Sequence, residues 1–278
     1  MEEHPKAIPD FYGKISNYNG YRRHDLLLGE NPVIIVEPAN PAPDRRWIWR
    51  AEFFDAFPQF DLAMLERGWW LAFINVGNTF GCPSAMKRFD AFYREMTEKY
   101  GFDKRPVLEG LSRGGLYAYN WAADNPEKVG AIYADNPVCD FKSWPGGMGT
   151  GPGSHENWTN LMKCYGFASE NEALAGPGNP VDNAFPIVRA GIPLIHIYGD
   201  ADEVVPWEEN TKVMAERVKA LGGKIKTICK PGCKHHPHGP AVRARRIRLV
   251  GFIIGLITVC GLDRACVKRF HKNPRLYF

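Results

Sequence analysis

Ser112 is the residue in this chain best placed for covalent chemistry. It sits in Gly110-Leu111-Ser112-Arg113-Gly114, behind Pro106-Val107-Leu108-Glu109, which reads as a short buried strand. Ahead lies Gly115-Leu116-Tyr117-Ala118-Tyr119-Asn120-Trp121-Ala122-Ala123, which reads as the start of a helix. A G-x-S-x-G sequence at a strand-to-helix turn holds its serine in a strained backbone conformation, and its glycines let neighbouring chain pass close by. The pentapeptide alone also fits an ordinary turn, so partner residues must decide. A serine hydroxyl is a poor nucleophile at neutral pH unless a base takes its proton. An imidazole suits that task because it titrates near neutrality, and a buried carboxylate fixes its tautomer.

Two later segments carry such partners. Ile195-His196-Ile197-Tyr198-Gly199-Asp200-Ala201-Asp202-Glu203-Val204-Val205-Pro206 is an apolar strand running into an acidic turn. Ile225-Lys226-Thr227-Ile228-Cys229 is a further strand, leading to the loop Pro231-Gly232-Cys233-Lys234-His235-His236-Pro237-His238. His235, His236 and His238 compete for the base; His235 follows most directly on the strand. Asp202 and Asp200 compete for the acid. His196, inside an apolar strand, reads as a core histidine. Cys229, Cys233 and the three loop histidines also admit a zinc site. Cys229 lies inside the expected strand, however, and no second ligand pair occurs elsewhere, so the expectation is no metal and no other cofactor.

Serine, then acid, then histidine is the chain order of the α/β-hydrolases, not that of chymotrypsin or subtilisin. On these residues the chain resembles an α/β-hydrolase-fold serine esterase, and is most similar to the bacterial carbohydrate-esterase-like and prolyl-oligopeptidase-like branches. The resemblance covers roughly residues 30 to 240. Its carriers are the pentapeptide around Ser112, the D-x-x-V-P turn from Asp202 to Pro206, and the G-x-x-H loop from Gly232 to His235. It implies Ser112 as nucleophile, Asp202 as the carboxylate and His235 as the base. It also implies an oxyanion hole built from the main-chain amide of Arg113 and a donor near Trp49-Arg50, where relatives carry His-Gly-Gly. The Arg113 side chain either reaches the oxyanion, as in the similar S-R elbow of glucuronoyl esterases, or forms a surface salt bridge. The expected activity is cleavage of a small-molecule or glycan carboxylic ester, a carbohydrate or phenolic-acyl ester foremost. A peptidase or amidase of the same fold, and a catalytically silent hydrolase-fold binding protein, are the alternatives. Trp144, Trp158 and Trp207 are the candidate substrate rim, since aromatic faces stack on sugars and aryl groups; they also fit as loop-anchoring hydrophobes.

The elements that must position these groups alternate. Residues 1–30 read as short antiparallel edge strands. Val33-Ile34-Ile35-Val36 suits a strand covered on both faces. A helix is expected over 51–67, a strand over 69–76, an amphipathic helix over 85–100 and a strand at 129–133. This alternation predicts an α/β chain with a mostly parallel, doubly wound sheet and helices on both faces. Residues 137–190 interrupt it with two Gly- and Pro-rich breakers flanking a helix at 156–165, and read as a cap or rim insertion.

At 278 residues the chain fits one domain with a sizeable core. Residues 240–278 hold nine Lys and Arg against one acid, Asp263, while the remainder holds 26 basic and 30 acidic residues. A basic block confined to one terminus does not make a nucleic-acid surface, and no such partner is expected. The apolar run from Leu249 to Cys260 is too short to span a bilayer and reads as a buried closing helix or a membrane-surface contact. Seven scattered cysteines point to thiols, not a disulfide scaffold. Met1-Glu2-Glu3-His4-Pro5 lacks the basic start of a signal peptide, so a cytosolic chain or a mature exported form is expected. A monomer or small homo-oligomer is the expected state.

Overall fold

The structure is a computed structural model that describes residues 10–235. The expectations for 240–278, and those for His236 and His238, lie outside the described residues. The strands are β1 (Lys14–Tyr18), β2 (Tyr21–Leu28), β3 (Asn31–Glu37), β4 (Trp47–Arg50), β5 (Trp70–Ile74), β6 (Val107–Leu111), β7 (Ala131–Asp135), β8 (Leu194–Gly199) and β9 (Ile225–Lys230). They form one sheet in the order β1-β2-β3-β5-β4-β6-β7-β8-β9. The first three are an antiparallel meander, and β3 runs antiparallel to β5; from β5 to β9 every neighbouring pair is parallel. The β1–β2 turn is Asn19-Gly20, both with positive φ (51° and 92°), as a tight hairpin turn of matching twist requires.

Burial explains the sequence patterns. Strands β4, β5, β6 and β7 are buried at every position, which is why they are mostly apolar, with Arg50, Glu109 and Asp135 the charged exceptions. Alternate residues of β4 feed opposite faces: Trp47 and Trp49 enter the larger core, and Ile48 the smaller one. The larger core packs against α2 (Pro83–Arg94), α3 (Gly114–Asp124) and α7 (Thr211–Ala220), through residues such as Phe89, Trp121 and Met214. The smaller core packs against α1 (Gln59–Leu65) through Phe60 and Met64. Among the described residues no helix is long and apolar enough to cross a membrane.

Two expectations need correction. The helix expected over 51–67 is only α1; residues 51–58 are a loop in which Phe53, Asp55 and Phe57 have φ of 53°, 69° and 54°. Pro58 at the N-cap sets the boundary, because proline lacks an N–H to continue a helix behind it. The helix expected over 85–100 ends as α2 at Arg94 and continues as a wider π-turn over Glu95–Lys99. The 137–190 segment holds α4 (His155–Tyr165), α5 (Glu170–Ala175) and α6 (Ala184–Arg189). It sends Val138, Phe141, Leu161, Val181 and Ile187 into the larger core, so much of it is structural packing as well as rim.

One placement follows from topology alone. The chain leaves β4 toward β5 on one side, and leaves β6 toward β7 on the other. Loops diverging in opposite directions from adjacent strand ends open a crevice, where open α/β sheets bind ligands. The loop after β4 and the turn after β6 are those two walls.

Candidate active site

The turn after β6 carries Ser112 with φ at +49°, a left-handed conformation that a non-glycine residue adopts only under constraint. The constraint is visible. Ser112 N–H donates to Asp135 O at 3.0 Å, and its carbonyl accepts from Gly115 N–H at 3.0 Å and Val138 N–H at 2.8 Å. Gly110 permits the bend, since a Cβ there would lie 2.9 Å from Gly114 O. The side chain is thus lifted off the end of the sheet and α3 begins directly behind it.

Three elements far apart in sequence meet at that hydroxyl. His235, just past β9, places Nε2 2.8 Å from Ser112 Oγ, and its Nδ1 lies 2.8 Å from Asp202 Oδ2. Asp202 is buried in the turn after β8, and its Oδ1 accepts the main-chain N–H groups of Val204 and Val205, both at 2.9 Å. With both oxygens engaged, the carboxylate cannot swing away from the ring. Asp200 faces elsewhere, accepting from Gly232 N–H at 2.6 Å. Both ring nitrogens of His235, either of which could ligate a metal, are hydrogen-bonded to Ser112 and Asp202, while Cys229 is exposed. His196 is fully buried between Tyr119 Oη at 2.6 Å and Thr211 Oγ1 at 3.1 Å, and burial pulls its pKa down to about 3, so it stays neutral.

Asn136, which the sequence analysis passes over, holds this arrangement together. It sits one residue past β7 with φ at +41°. Its Nδ2 donates to His235 O at 2.7 Å and Lys234 O at 3.3 Å, and its Oδ1 accepts Gly199 N–H at 2.9 Å. One amide therefore joins the end of β8 to the histidine loop. The signal for it was an Asn directly after a buried strand, a residue type that tolerates left-handed backbone and bonds to nearby main chain.

The residues expected around the oxyanion are placed differently. Arg113 opens α3, whose first N–H groups have no acceptor within the helix. Its side chain is neither at the surface nor free: it pairs with Glu52 at 3.3 Å and Asn78 Oδ1 at 2.8 Å, between the rings of Phe53 and Phe80. Burial pushes the Glu52 carboxyl up, with Arg113 acting in the opposite direction. Trp49 and Arg50 lie inside β4, hydrogen-bonded between β5 and β6, with both side chains fully buried. The last ladder-type bond there is Ala51 N–H to Glu109 O at 2.9 Å. The next N–H groups, of Glu52 and Phe53, belong to the loop beside the elbow; a Cβ on Gly114 would lie 3.3 Å from Glu52 Cβ.

The rim also divides. Trp158 is a core residue: with Leu161 it forms the inward face of α4 and packs toward Phe141 at 6.3 Å. The amphipathic pattern of α4 required an apolar side chain there, and indole filled it. Trp144 is half-buried, 6.4 Å from Phe80, and Trp207 is half-buried, stacked on Tyr198 at 4.7 Å. Beside Asp202 a cavity of about 750 Å³ is lined by Thr150, Pro152, Pro206, Glu203, Glu208 and Glu209, among others.

Beneath the crevice, on the α1 side, Arg50 meets two buried carboxyls, Asp61 (in contact at Nη1) and Glu109 at 3.3 Å. Burial first, and Asp61 second, push Glu109 well above the usual carboxyl range, with Arg50 opposing. Among the described residues Glu109 Oε2 and Asp61 Oδ1 lack hydrogen-bond partners, and a proton shared between the two carboxyls would supply one. A carboxyl raised above its ordinary value of 4.5 on folding makes stability fall as pH rises through the window above that value. Glu109→Gln, fixed neutral and able to donate to Asp61, is expected to remove this slope. Thermal melts from pH 5 to 8 should show the variant gaining on the wild type as pH rises, by up to about 1.4 kcal/mol per pH unit; parallel curves would refute the buried proton.

No protein-family profile matches the chain, and no curated protein matches it. Solved structures do. Porphyromonas gingivalis dipeptidyl peptidase 4 is similar at a TM-score of 0.64 and 16% identity, over 86% of this chain and 36% of that one. A Mycobacterium tuberculosis puromycin-hydrolyzing peptidase is similar at 0.68 and 13%, over 87% and 40%. A putative lipase from Acinetobacter baumannii is similar at 0.59 and 13%, over 86% and 93%. The chain therefore spans about two-fifths of the length of these peptidases. At such identities the likeness is one of fold, and the fold is that of the α/β-hydrolases.

Proposed function

We propose that this protein is a serine hydrolase that cleaves carboxylic esters through an acyl-enzyme. The observation that carries the reading is the unbroken relay from Ser112 Oγ to His235 to Asp202, both links at 2.8 Å. In this mechanism Ser112 Oγ attacks the acyl carbon as its proton passes to His235 Nε2. The carbonyl oxygen becomes an oxyanion, received by the main-chain N–H of Arg113 and by a second N–H from Glu52 or Phe53, in place of Trp49 and Arg50. His235 returns the proton to the departing alcohol. Water then enters by the same route in reverse, and Ser112 is regenerated. Asp202 fixes the ring and stabilises the imidazolium. No step calls for a cofactor.

Substrate class rests on the walls. Trp144 and Trp207 are both half-buried aromatics, residue types that suit a glycan or phenolic-acyl ester, with one face of Trp207 taken by Tyr198. The acidic residues around the neighbouring cavity, Asp200, Glu203 and Glu208 among them, disfavour anionic substrates by charge repulsion. A peptidase is the second reading, favoured by the peptidases among the structural neighbours. A panel of acetyl, feruloyl, methyl-uronate and longer acyl esters, run beside aminoacyl anilides, tests both. Neutral acetyl or feruloyl esters should turn over fastest, and esters added to the panel that also carry a free carboxylate slowest. Anilide turnover exceeding every ester would replace the esterase reading with the peptidase one. A wild type that no fluorophosphonate probe labels would end both.

A further inference from the structure

One buried side chain ties the loop after β4 to strand β6 from beneath the crevice. Arg50, the last residue of β4, points to the α1 side and is completely buried. Its Nε donates to Glu52 O at 3.3 Å and to Phe53 O at 3.0 Å, and its Nη2 donates to Ala56 O. Its Nη1 turns the other way, to Asp61 on α1 and to Glu109 on β6, three residues before Ser112. We propose that Arg50 is a positioning residue for the oxyanion site: its guanidinium holds the 52–56 loop in the shape that aims main-chain N–H groups at the carbonyl Ser112 attacks. The assignment rests on the hydrolase reading above.

The loop needs such a holder. Phe53, Asp55 and Phe57 all occupy left-handed backbone, a combination that persists only where surrounding contacts over-determine it. Among the described residues no regular hydrogen-bond ladder fixes residues 52–56; within them the backbone offers Ala56 N–H to Phe53 O at 3.1 Å. Three of its carbonyls instead converge on one planar fork. A guanidinium presents its donors in a fixed geometry, so it sets direction as well as distance. The two carboxyls behind it keep that fork from rotating, and make burial of the cation tolerable. Glu52, held by its carbonyl from below, then meets Arg113 from above at 3.3 Å. Arg50 thereby registers the loop against the elbow without touching substrate.

Arg50→Lys keeps the charge beside Asp61 but has one ammonium where three carbonyls need a fork. The expected result is a fall in kcat on the order of 10²-fold, the loss that about 1 Å of misplacement brings. Each rate is taken per fluorophosphonate-labelled site, and KM should move less than about threefold, because a transition-state interaction is what weakens. Amide exchange across 52–56 should quicken while β8 and β9 stay protected. A folded variant with kcat within about twofold of wild type, or exchange that quickens uniformly, would overturn the assignment. If the lysine variant does not fold, Asp61→Asn loosens the anchor and leaves Arg50. It should give the same split at about fivefold, and an unchanged kcat there overturns the proposal equally. Failure of the wild type to label would instead strike the hydrolase reading, which exchange at 52–56 does not depend on.

Discussion

Ser112→Ala is expected to eliminate ester turnover, with a fall in kcat on the order of 10⁴ to 10⁶. The size follows from what is lost. Without Oγ no covalent bond to the acyl carbon can form, and what remains is water attack assisted by oxyanion donors. The substitution removes one atom from a residue whose main-chain bonds to Asp135, Gly115 and Val138 do not involve the side chain, so the elbow should stand. The variant should therefore melt near the wild type and bind substrate with a similar KM. Turnover of p-nitrophenyl acetate and labelling by a fluorophosphonate, measured side by side, check it. Retained turnover with lost labelling would place the chemistry at another residue.

Asp202→Asn is the second large effect, a drop of about 10⁴ in kcat. Asn can keep an oxygen on the N–H groups of Val204 and Val205, which hold Asp202 Oδ1 at 2.9 Å. Its amide nitrogen then faces His235 Nδ1, where the carboxylate Oδ2 now sits at 2.8 Å. An amide donates at that position, so Nδ1 must accept and the ring proton moves to Nε2. That nitrogen faces Ser112 and can no longer take its proton. Geometry survives and chemistry stops. Burst kinetics should show slowed acylation with unchanged KM; a loss of less than tenfold would mean that Asp202 orients the loop and not the tautomer.

How much of this was written in the sequence depends on the distance over which each feature is encoded. The turn at Ser112 is local: Gly110 and Gly115 flank it, and strand and helix patterns abut within a dozen residues. Asp202 follows the apolar β8 and His235 the mixed β9, so each sits just past a strand end, and parallel strands bring their ends to one edge. Other features had no local signature. Arg50 and Glu109 are 59 residues apart and meet because β4 and β6 pair in that register. Asn136 is meaningful only once β7 lies between β6 and β8. Residues 51–67 have the mixture of apolar and charged side chains that suits a helix, and Pro58 alone announced the true start of α1. Trp158 shows the complementary failure: an aromatic in a Gly- and Pro-flanked insertion suggested a rim, yet with Leu161 it forms the buried face of α4.

The 123 residues separating Ser112 from His235 carry one last implication. A ribosome delivers Ser112, the proposed nucleophile, long before His235, the proposed base, and β9 must add to the edge of the sheet before that loop can fold back over Asn136. Until His235 has emerged, the growing polypeptide carries a serine without its proposed activating partner. On the proposed mechanism, hydrolysis can begin only after β9 has joined the sheet, so its onset would report completion of that edge.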